Sequence, residues 1–131
     1  MITGSCFCGD IGYEYQGELR DARSCHCSQC RKAFSSQASA YALVDASQFR
    51  WVRGEQQLVA YDSQASFGLR FCGRCGSTLC GTYNNIVHGV TLGCVEGNPE
   101  VEIGMHIFLG SKASWEKLPD DIVGFQAGPP A

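Results

Sequence analysis

Cysteine spacing constrains this chain more than any other feature. Seven of its nine cysteines fall into three closely spaced groups: Cys6/Cys8, Cys25/Cys27/Cys30 and Cys72/Cys75. Thiolates at such spacings are typical zinc ligands. A structural zinc ion takes four protein ligands, whereas a catalytic zinc ion keeps one position open for water or substrate. The two pairs together supply four sulfurs and the triplet supplies three, so the spacing predicts one closed and one open zinc site.

Length and composition favour a single domain in a reducing compartment. With 131 residues, 44% of them hydrophobic, the chain can bury a core without relying on disulfides. We predict one domain over residues 1–124 and a frayed tail over 125–131, which contains Gly128, Pro129 and Pro130. The first residues lack the features of a secretory signal, and no run approaches the roughly 18 apolar residues of a membrane span. These features predict a cytoplasmic protein without a membrane partner, whose clustered thiols bind metal.

The charge balance argues against nucleic acid as a partner. The formal net charge is −3 and 18% of the residues are charged, so the chain as a whole presents no basic field. Four basic residues surround the triplet in the sequence: Arg20, Arg23, Arg31 and Lys32. They form either a local cationic rim around the triplet or an ordinary solvated surface with scattered charges.

Short alternating segments predict an all-β fold. Residues 11–16 alternate apolar and polar side chains with the period of two expected of a half-buried strand. Runs rich in aromatic and β-branched residues predict further strands at 37–44, 49–52, 57–61, 67–71, 77–83, 86–92 and 103–109. The only helical segment that we predict is a turn or two from Ser28 to Phe34.

The two cysteine pairs predict a closed structural zinc site. Cys72 and Cys75 have the spacing of a metal-binding hairpin turn, and Cys6 and Cys8 place alternate side chains on one face of an extended segment. Neither pair can close a tetrahedral site alone, so we expect all four sulfurs to hold one ion. Such a site can contribute on the order of 10 kcal/mol to folding.

The triplet predicts an open zinc site. Cys25, Cys27 and Cys30 can present three sulfurs to a single ion from one short loop. His26 lies between two of these ligands and should point away from them if the segment is extended. The fourth position could be filled by His26, Cys80 or Cys94, or left to solvent or a substrate thiol. A thiol there would react as thiolate at neutral pH, because bound zinc lowers its pKa.

Four segments resemble one known family. Residues 4–13 read GSCFCGDIGY, residues 25–32 read CHCSQCRK, residues 71–77 read FCGRCGS and residues 106–115 read HIFLGSKASW, followed by Asp120 and Asp121. They are similar to the motifs of the glutathione-dependent formaldehyde-activating enzyme family, which includes the centromere protein V group. The resemblance implies two packed antiparallel sheets, a structural zinc ion and a second zinc ion. By matching positions, the resemblance implies that the structural zinc ion is held by Cys6, Cys8, Cys72 and Cys75. It implies that the second zinc ion is held by Cys25, Cys27 and Cys30.

The resemblance also implies an activity. The family's named enzyme joins glutathione and formaldehyde to give S-hydroxymethylglutathione, so we expect a carbon–sulfur lyase that acts on a thiol adduct of a small aldehyde. Candidate substrate contacts are Arg31, Lys32 and Lys112 for a peptide carboxylate, and Trp115 as a pocket wall. Two alternatives are a non-catalytic zinc module that binds protein or nucleic acid, and a thiol-disulfide or sulfoxide reductase that uses Cys80 or Cys94 as nucleophile.

Overall fold

The computed structural model describes residues 1–62 and 66–130, and the fold is mostly β with its strands in two sheets. The described strands are β1 Ile2–Ser5, β2 Gly12–Tyr15, β3 Arg20–Cys25, β4 Ser39–Leu43, β5 Phe49–Arg53, β6 Leu58–Asp62, β7 Phe67–Cys72, β8 Thr78–Tyr83, β9 Ile86–Thr91 and β10 Met105–Ile107. The single described α-helix is α1, Ser28–Phe34, and short 3-10 turns link several strands. Within these ranges no helix has the length and apolar character needed to cross a membrane. The predicted all-β fold with one short helical segment is confirmed.

Backbone contacts divide the chain into two compact units. The first contains Met1–Arg20 and Ala42–Glu100, and the second contains Asp21–Tyr41 and Val101–Ala131. The prediction of one domain over 1–124 stays a prediction, as does the fraying of 125–131, whose last residue lies outside the described ranges. Three residues of that tail do have backbone partners, because the carbonyls of Phe125, Gln126 and Ala127 accept hydrogen bonds from residues 108–110.

The first unit holds a core between antiparallel strands. One sheet has the order β1-β2-β5, and the other strands of the unit follow the order β9-β8-β7-β6. Tyr13 and Tyr15 of β2 are buried in the same cluster as Leu79 of β8 and Val90 of β9, so apolar faces of both sets of strands meet there. Gly4 lies opposite Tyr13 in the register of β1 and β2, and a Cβ at Gly4 would come within 2.2 Å of the tyrosine ring.

A glycine also fixes the turn after β5. Gly54 has φ +69°, a left-handed conformation that favours glycine, and a Cβ there would lie 2.1 Å from the backbone oxygen of Asp10. That oxygen belongs to the turn that follows Cys6 and Cys8. The close approach therefore packs the residues after β5 against the first cysteine pair.

The second unit has the strand order β10-β3-β4, and one pairing in it is parallel. Residues Met105, His106 and Ile107 of β10 pair with Arg23, Ser24 and Cys25 of β3. The expectation of purely antiparallel sheets is wrong at this pairing. Parallel neighbours need a long crossover connection, and here the connection runs through most of the chain, so the strand patterns alone did not reveal the partner of β10.

The helix α1 begins and ends at recognisable signals. Cys27 is its N-cap, in an extended conformation, and its sulfur accepts a hydrogen bond from the backbone N–H of Cys30. Ser35 ends the helix with φ 50°, and its backbone N–H bonds back to the last turn. Arg31 and Lys32 lie in that last turn, where positive charge is favourable against the helix dipole.

Candidate metal centres

The first cysteine group has the geometry of a four-sulfur metal site. Its sulfur atoms all lie within 4.8 Å of one another, and the group consists of Cys6, Cys8, Cys72 and Cys75. The sulfurs of Cys6 and Cys8 are 3.6 Å apart, and those of Cys8 and Cys72 are 3.8 Å apart. A tetrahedron with zinc–sulfur bonds of about 2.3 Å has edges of about 3.8 Å. These four residues could therefore hold a metal ion, and the donor set fits zinc.

Two tight turns aim the sulfurs of this group. Cys6 follows β1, where the N–H of Gly9 donates to the Cys6 carbonyl at 3.0 Å and the N–H of Ile11 donates to the Cys6 sulfur at 3.3 Å. Cys72 ends β7, where the backbone N–H groups of Arg74 and Cys75 point at its sulfur, at 3.4 and 3.5 Å. Backbone N–H donors stabilise thiolate ligands and fix their direction.

The electrostatics favour a thiolate at Cys75, whereas contacts with the neighbouring sulfurs outweigh a backbone hydrogen bond from Asp10 and raise the pKa of Cys8 to about 12. The Ser77 hydroxyl lies 3.4 Å from the Cys75 sulfur, and this side-chain hydrogen bond is the main reason that the pKa of Cys75 falls to about 5. Metal ligands must be deprotonated, so a thiol with a lowered pKa binds a cation more readily at neutral pH.

The second cysteine group has three sulfurs. Cys25 ends β3, Cys27 caps α1 and Cys30 lies in the first turn of α1, and their sulfurs lie within 4.8 Å of one another. Within residues 1–62 and 66–130, no fourth cysteine, histidine or carboxylate atom belongs to this group. Cys80 in β8 and Cys94 after β9 belong to neither group. The three residues could hold a metal ion with a position left for another ligand.

The three thiols differ in how readily they ionise. A hydrogen bond with Cys25 is the main cause that lowers the pKa of Cys30 to about 6, and the Ser39 side chain adds to it. The same contact with Cys30, together with burial, raises the pKa of Cys25. One thiolate is thus present near neutral pH before any cation neutralises the cluster.

Polar residues of β3 and β4 surround this group. Alternate residues of a strand share a face, which places Arg23 with Cys25 on β3 and Ser39 with Tyr41 on β4. Ser39 is buried, and its hydroxyl contacts the Cys30 sulfur with a geometry that falls short of a full hydrogen bond. Burial is the main cause that raises the pKa of Tyr41 to about 12, and negative charge on Cys25 and Cys30 adds to it. Tyr41 therefore lies near the sulfurs and keeps its proton at neutral pH.

His26 lies behind the triplet instead of completing it. Its side chain is 1% exposed, with Nε2 3.0 Å from Nδ1 of His106 and Nδ1 3.2 Å from a carboxylate oxygen of Glu116. Burial lowers the pKa of His26, although the Glu116 charge opposes that effect. Nε2 makes the hydrogen bond with His106, and Nδ1 faces the Glu116 carboxylate without a full hydrogen bond, so both ring nitrogens are directed at residues outside the triplet. The sequence offered no sign of the contacts among His26, His106 and Glu116, because these residues are far apart along the chain.

The four predicted substrate contacts lie in different environments. Arg31 is half-buried with a buried Nε that lacks a partner among the described residues, and Lys32 is exposed. The ammonium group of Lys112 donates to the carbonyls of Ala113 and Glu116, which ties down the loop after β10. Trp115 is 70% exposed and does not belong to a core. Their contact with a substrate stays a prediction.

The protein is thus mostly β, with one potential metal site of four sulfurs and another of three. The family model described as glutathione-dependent formaldehyde-activating enzyme matches residues 1–111, and the chain belongs to this family. It is also similar to a Rhodobacter sphaeroides protein of known crystal structure, a structural genomics target. The two share 30% identity with a TM-score of 0.57, and the match covers 72% of this chain and 88% of that one. No curated protein matches the chain.

Proposed function

We propose that this protein is a zinc-dependent carbon–sulfur lyase that forms and cleaves the adduct between a glutathione-like thiol and a small aldehyde, with formaldehyde as the first candidate. The observation that carries the proposal is the contrast between the two cysteine groups, one with four sulfurs and one with three. A metal ion held by four sulfurs has no place for a substrate, whereas one held by three can accept another ligand. Membership of the glutathione-dependent formaldehyde-activating enzyme family supports a reaction between a thiol and an aldehyde at such a site.

The proposed reaction balances without a further reactant. The thiol sulfur attacks the aldehyde carbon, a carbon–sulfur bond forms, the carbonyl double bond becomes a single bond, and the thiol proton ends on the oxygen. A zinc ion at this site would supply Lewis acidity and a lower pKa for a thiol that binds it. The uncatalysed addition is already feasible, so the protein has to contribute position and proton control more than driving force.

The residues of the proposed site would act as metal ligands, as a hydrogen-bond donor and as supports of the metal-binding loop. Cys6, Cys8, Cys72 and Cys75 would hold the structural zinc ion, and Cys25, Cys27 and Cys30 would hold the second. Tyr41 is protonated at neutral pH and lies near two of the triplet sulfurs, so its hydroxyl can donate a hydrogen bond to an oxygen that gains negative charge there. His26 and Glu116 would keep the loop that carries Cys25 and Cys27 in place.

Exchange NMR of glutathione and formaldehyde tests the proposal. The zinc-loaded protein should accelerate exchange between free glutathione and its hydroxymethyl adduct, because it binds one reactant and polarises the other. Cys27→Ala should abolish the acceleration, whereas Cys94→Ala, a matched change outside both groups, should retain it. Equal exchange rates with and without the wild-type protein would overturn the assignment of this reaction.

A further inference from the structure

Arg23 is a buried cation without an acidic partner. It is 7% exposed, and its Nε donates a hydrogen bond to the backbone carbonyl of Asp21 at 2.9 Å. Throughout the part of the chain that the structure describes, no carboxylate lies within 4.0 Å of the guanidinium of Arg23. The ion pairs found there involve other bases: His26, Arg50, Arg70 and Arg74. Buried arginines are normally paired, because an uncompensated charge is costly to remove from water.

The position of Arg23 relates it to the three-sulfur group. It precedes Cys25 by two residues in β3, so the two side chains leave the strand on the same face. The Cζ atom of Arg23 lies 5.7 Å from the centre of the Tyr41 ring, a cation–π distance. Tyr41 in turn interacts with the charges of Cys25 and Cys30. A single tyrosine ring therefore contacts the guanidinium and lies near the sulfurs.

Ser39 is a second buried polar residue beside the three-sulfur group. It is 3% exposed, and its hydroxyl contacts the Cys30 sulfur with a geometry that falls short of a full hydrogen bond. Arg23 is therefore the group whose charge is left without a counterion here, since its partners, the Asp21 carbonyl and the Tyr41 side chain, carry no negative charge.

We propose that Arg23 binds a carboxylate of the thiol substrate, whose sulfur occupies the open position of the Cys25/Cys27/Cys30 group; this inference rests on the function proposed above. The planar guanidinium can grip a carboxylate with two parallel hydrogen bonds. Arg23 and Cys25 are two residues apart on β3, about 7 Å along the strand, so the substrate must carry its acid several bonds from its thiol, as a thiol peptide does.

Binding to the cobalt-loaded protein tests this assignment without relying on turnover. Cobalt(II) replaces zinc, and the visible spectrum of the three-sulfur site reports thiol binding. The probes are glutathione and glutathione diethyl ester, which differ only in that both carboxylates are masked in the ester. The wild type should bind glutathione at least about tenfold more tightly than the ester, since hydrogen bonds to charged groups are worth roughly 1.5–3 kcal/mol.

Variants at Arg23 supply the comparison. Arg23→Gln should lose the preference for glutathione with ester binding unchanged, and Arg23→Lys should retain a part of it because the charge remains. Arg20→Gln is the matched control, since Arg20 is exposed at the start of the same strand, and it should keep the full preference. Circular dichroism and cobalt content show whether each variant is folded and loaded.

The possible results separate the two proposals. If both thiols bind and the preference is the same in the wild type and in Arg23→Gln, Arg23 is not the carboxylate site, while the three-sulfur site still binds thiols. If neither thiol changes the wild-type spectrum, the proposed function fails and this inference fails with it. If Arg23→Gln does not fold, equal wild-type affinities for glutathione and its ester overturn the inference.

Discussion

Alanine at Cys72 or Cys27 should have very different consequences, although each substitution removes one sulfur. Cys72 is fully buried in the core cluster of the first unit, and Cys6, Cys8 and Cys75 are part of that cluster or pack against it. Loss of the fourth sulfur would forfeit a structural zinc site that contributes on the order of 10 kcal/mol. Domains are usually stable by only about 5–15 kcal/mol. We therefore expect Cys72→Ala to be unfolded or insoluble.

Cys27→Ala should remain folded. Cys27 is half-buried, and besides its role in the triplet its sulfur caps α1 by accepting one hydrogen bond from the Cys30 N–H at 3.2 Å. Loss of an N-cap costs about 0.5–2 kcal/mol, a tolerable fraction of the stability of a domain. The variant should hold one zinc ion per chain instead of two.

Zinc content by mass spectrometry and urea unfolding followed by circular dichroism measure both effects. Cys94→Ala is the control for loss of a thiol outside the two groups, and it should keep two zinc ions. A folded Cys72→Ala together with an unfolded Cys27→Ala would refute the assignment of structural and open sites, and so would two zinc ions per chain in both variants.

Three further predictions concern other parts of the chain. Gly54→Ala should lower the free energy of unfolding by roughly 1–3 kcal/mol, because its φ is +69° and the methyl group would collide with backbone, whereas Gly93→Ala, which meets nothing within 4 Å, should be nearly neutral in the same urea titration. Burial raises the pKa of Cys80 to about 12, so iodoacetamide at pH 8 should leave this thiol unmodified in the folded protein; rapid alkylation would instead support the reductase alternative. In Glu116→Gln, the pKa of His26 should fall further below its usual value, since the lost carboxylate is the main charge that opposes the effect of burial, and an NMR titration of the imidazole shows it. An upward shift would contradict the contact.

Cysteine spacing and strand patterns predicted much of this molecule. The alternation of 11–16 corresponds to β2, the run at 67–71 to β7, and the segment from Ser28 to Phe34 to α1. The groups of four and three sulfurs also form as the spacing predicts. The strand and helix patterns are local, and the two metal-site predictions depend only on the number and spacing of the cysteines. A single sequence contains both.

The missed features depend on distant contacts. Residues Ala22 to Cys25 of β3 are all buried, so the strand lacks the alternation by which a half-buried strand is recognised. The pairing of β3 with β10 and the contacts of His26 with His106 and Glu116 join residues about eighty to ninety positions apart. Arg23 and Tyr41 are closer in the sequence, on the neighbouring strands β3 and β4, but β3 was not among the predicted strands, so their contact could not be foreseen.

The pairing of β3 with β10 orders events during synthesis. The backbone N–H of His26 donates to the carbonyl of Ile107, and the ring of His26 contacts a histidine 80 residues further along the chain. At translation rates of roughly 5–20 residues per second, the ribosome needs several seconds to make the strand that supports this loop. During that interval the three thiols of the nascent loop lack their supporting strand, so the supported arrangement in which they could hold a metal ion forms only after the carboxyl-terminal third of the chain has emerged.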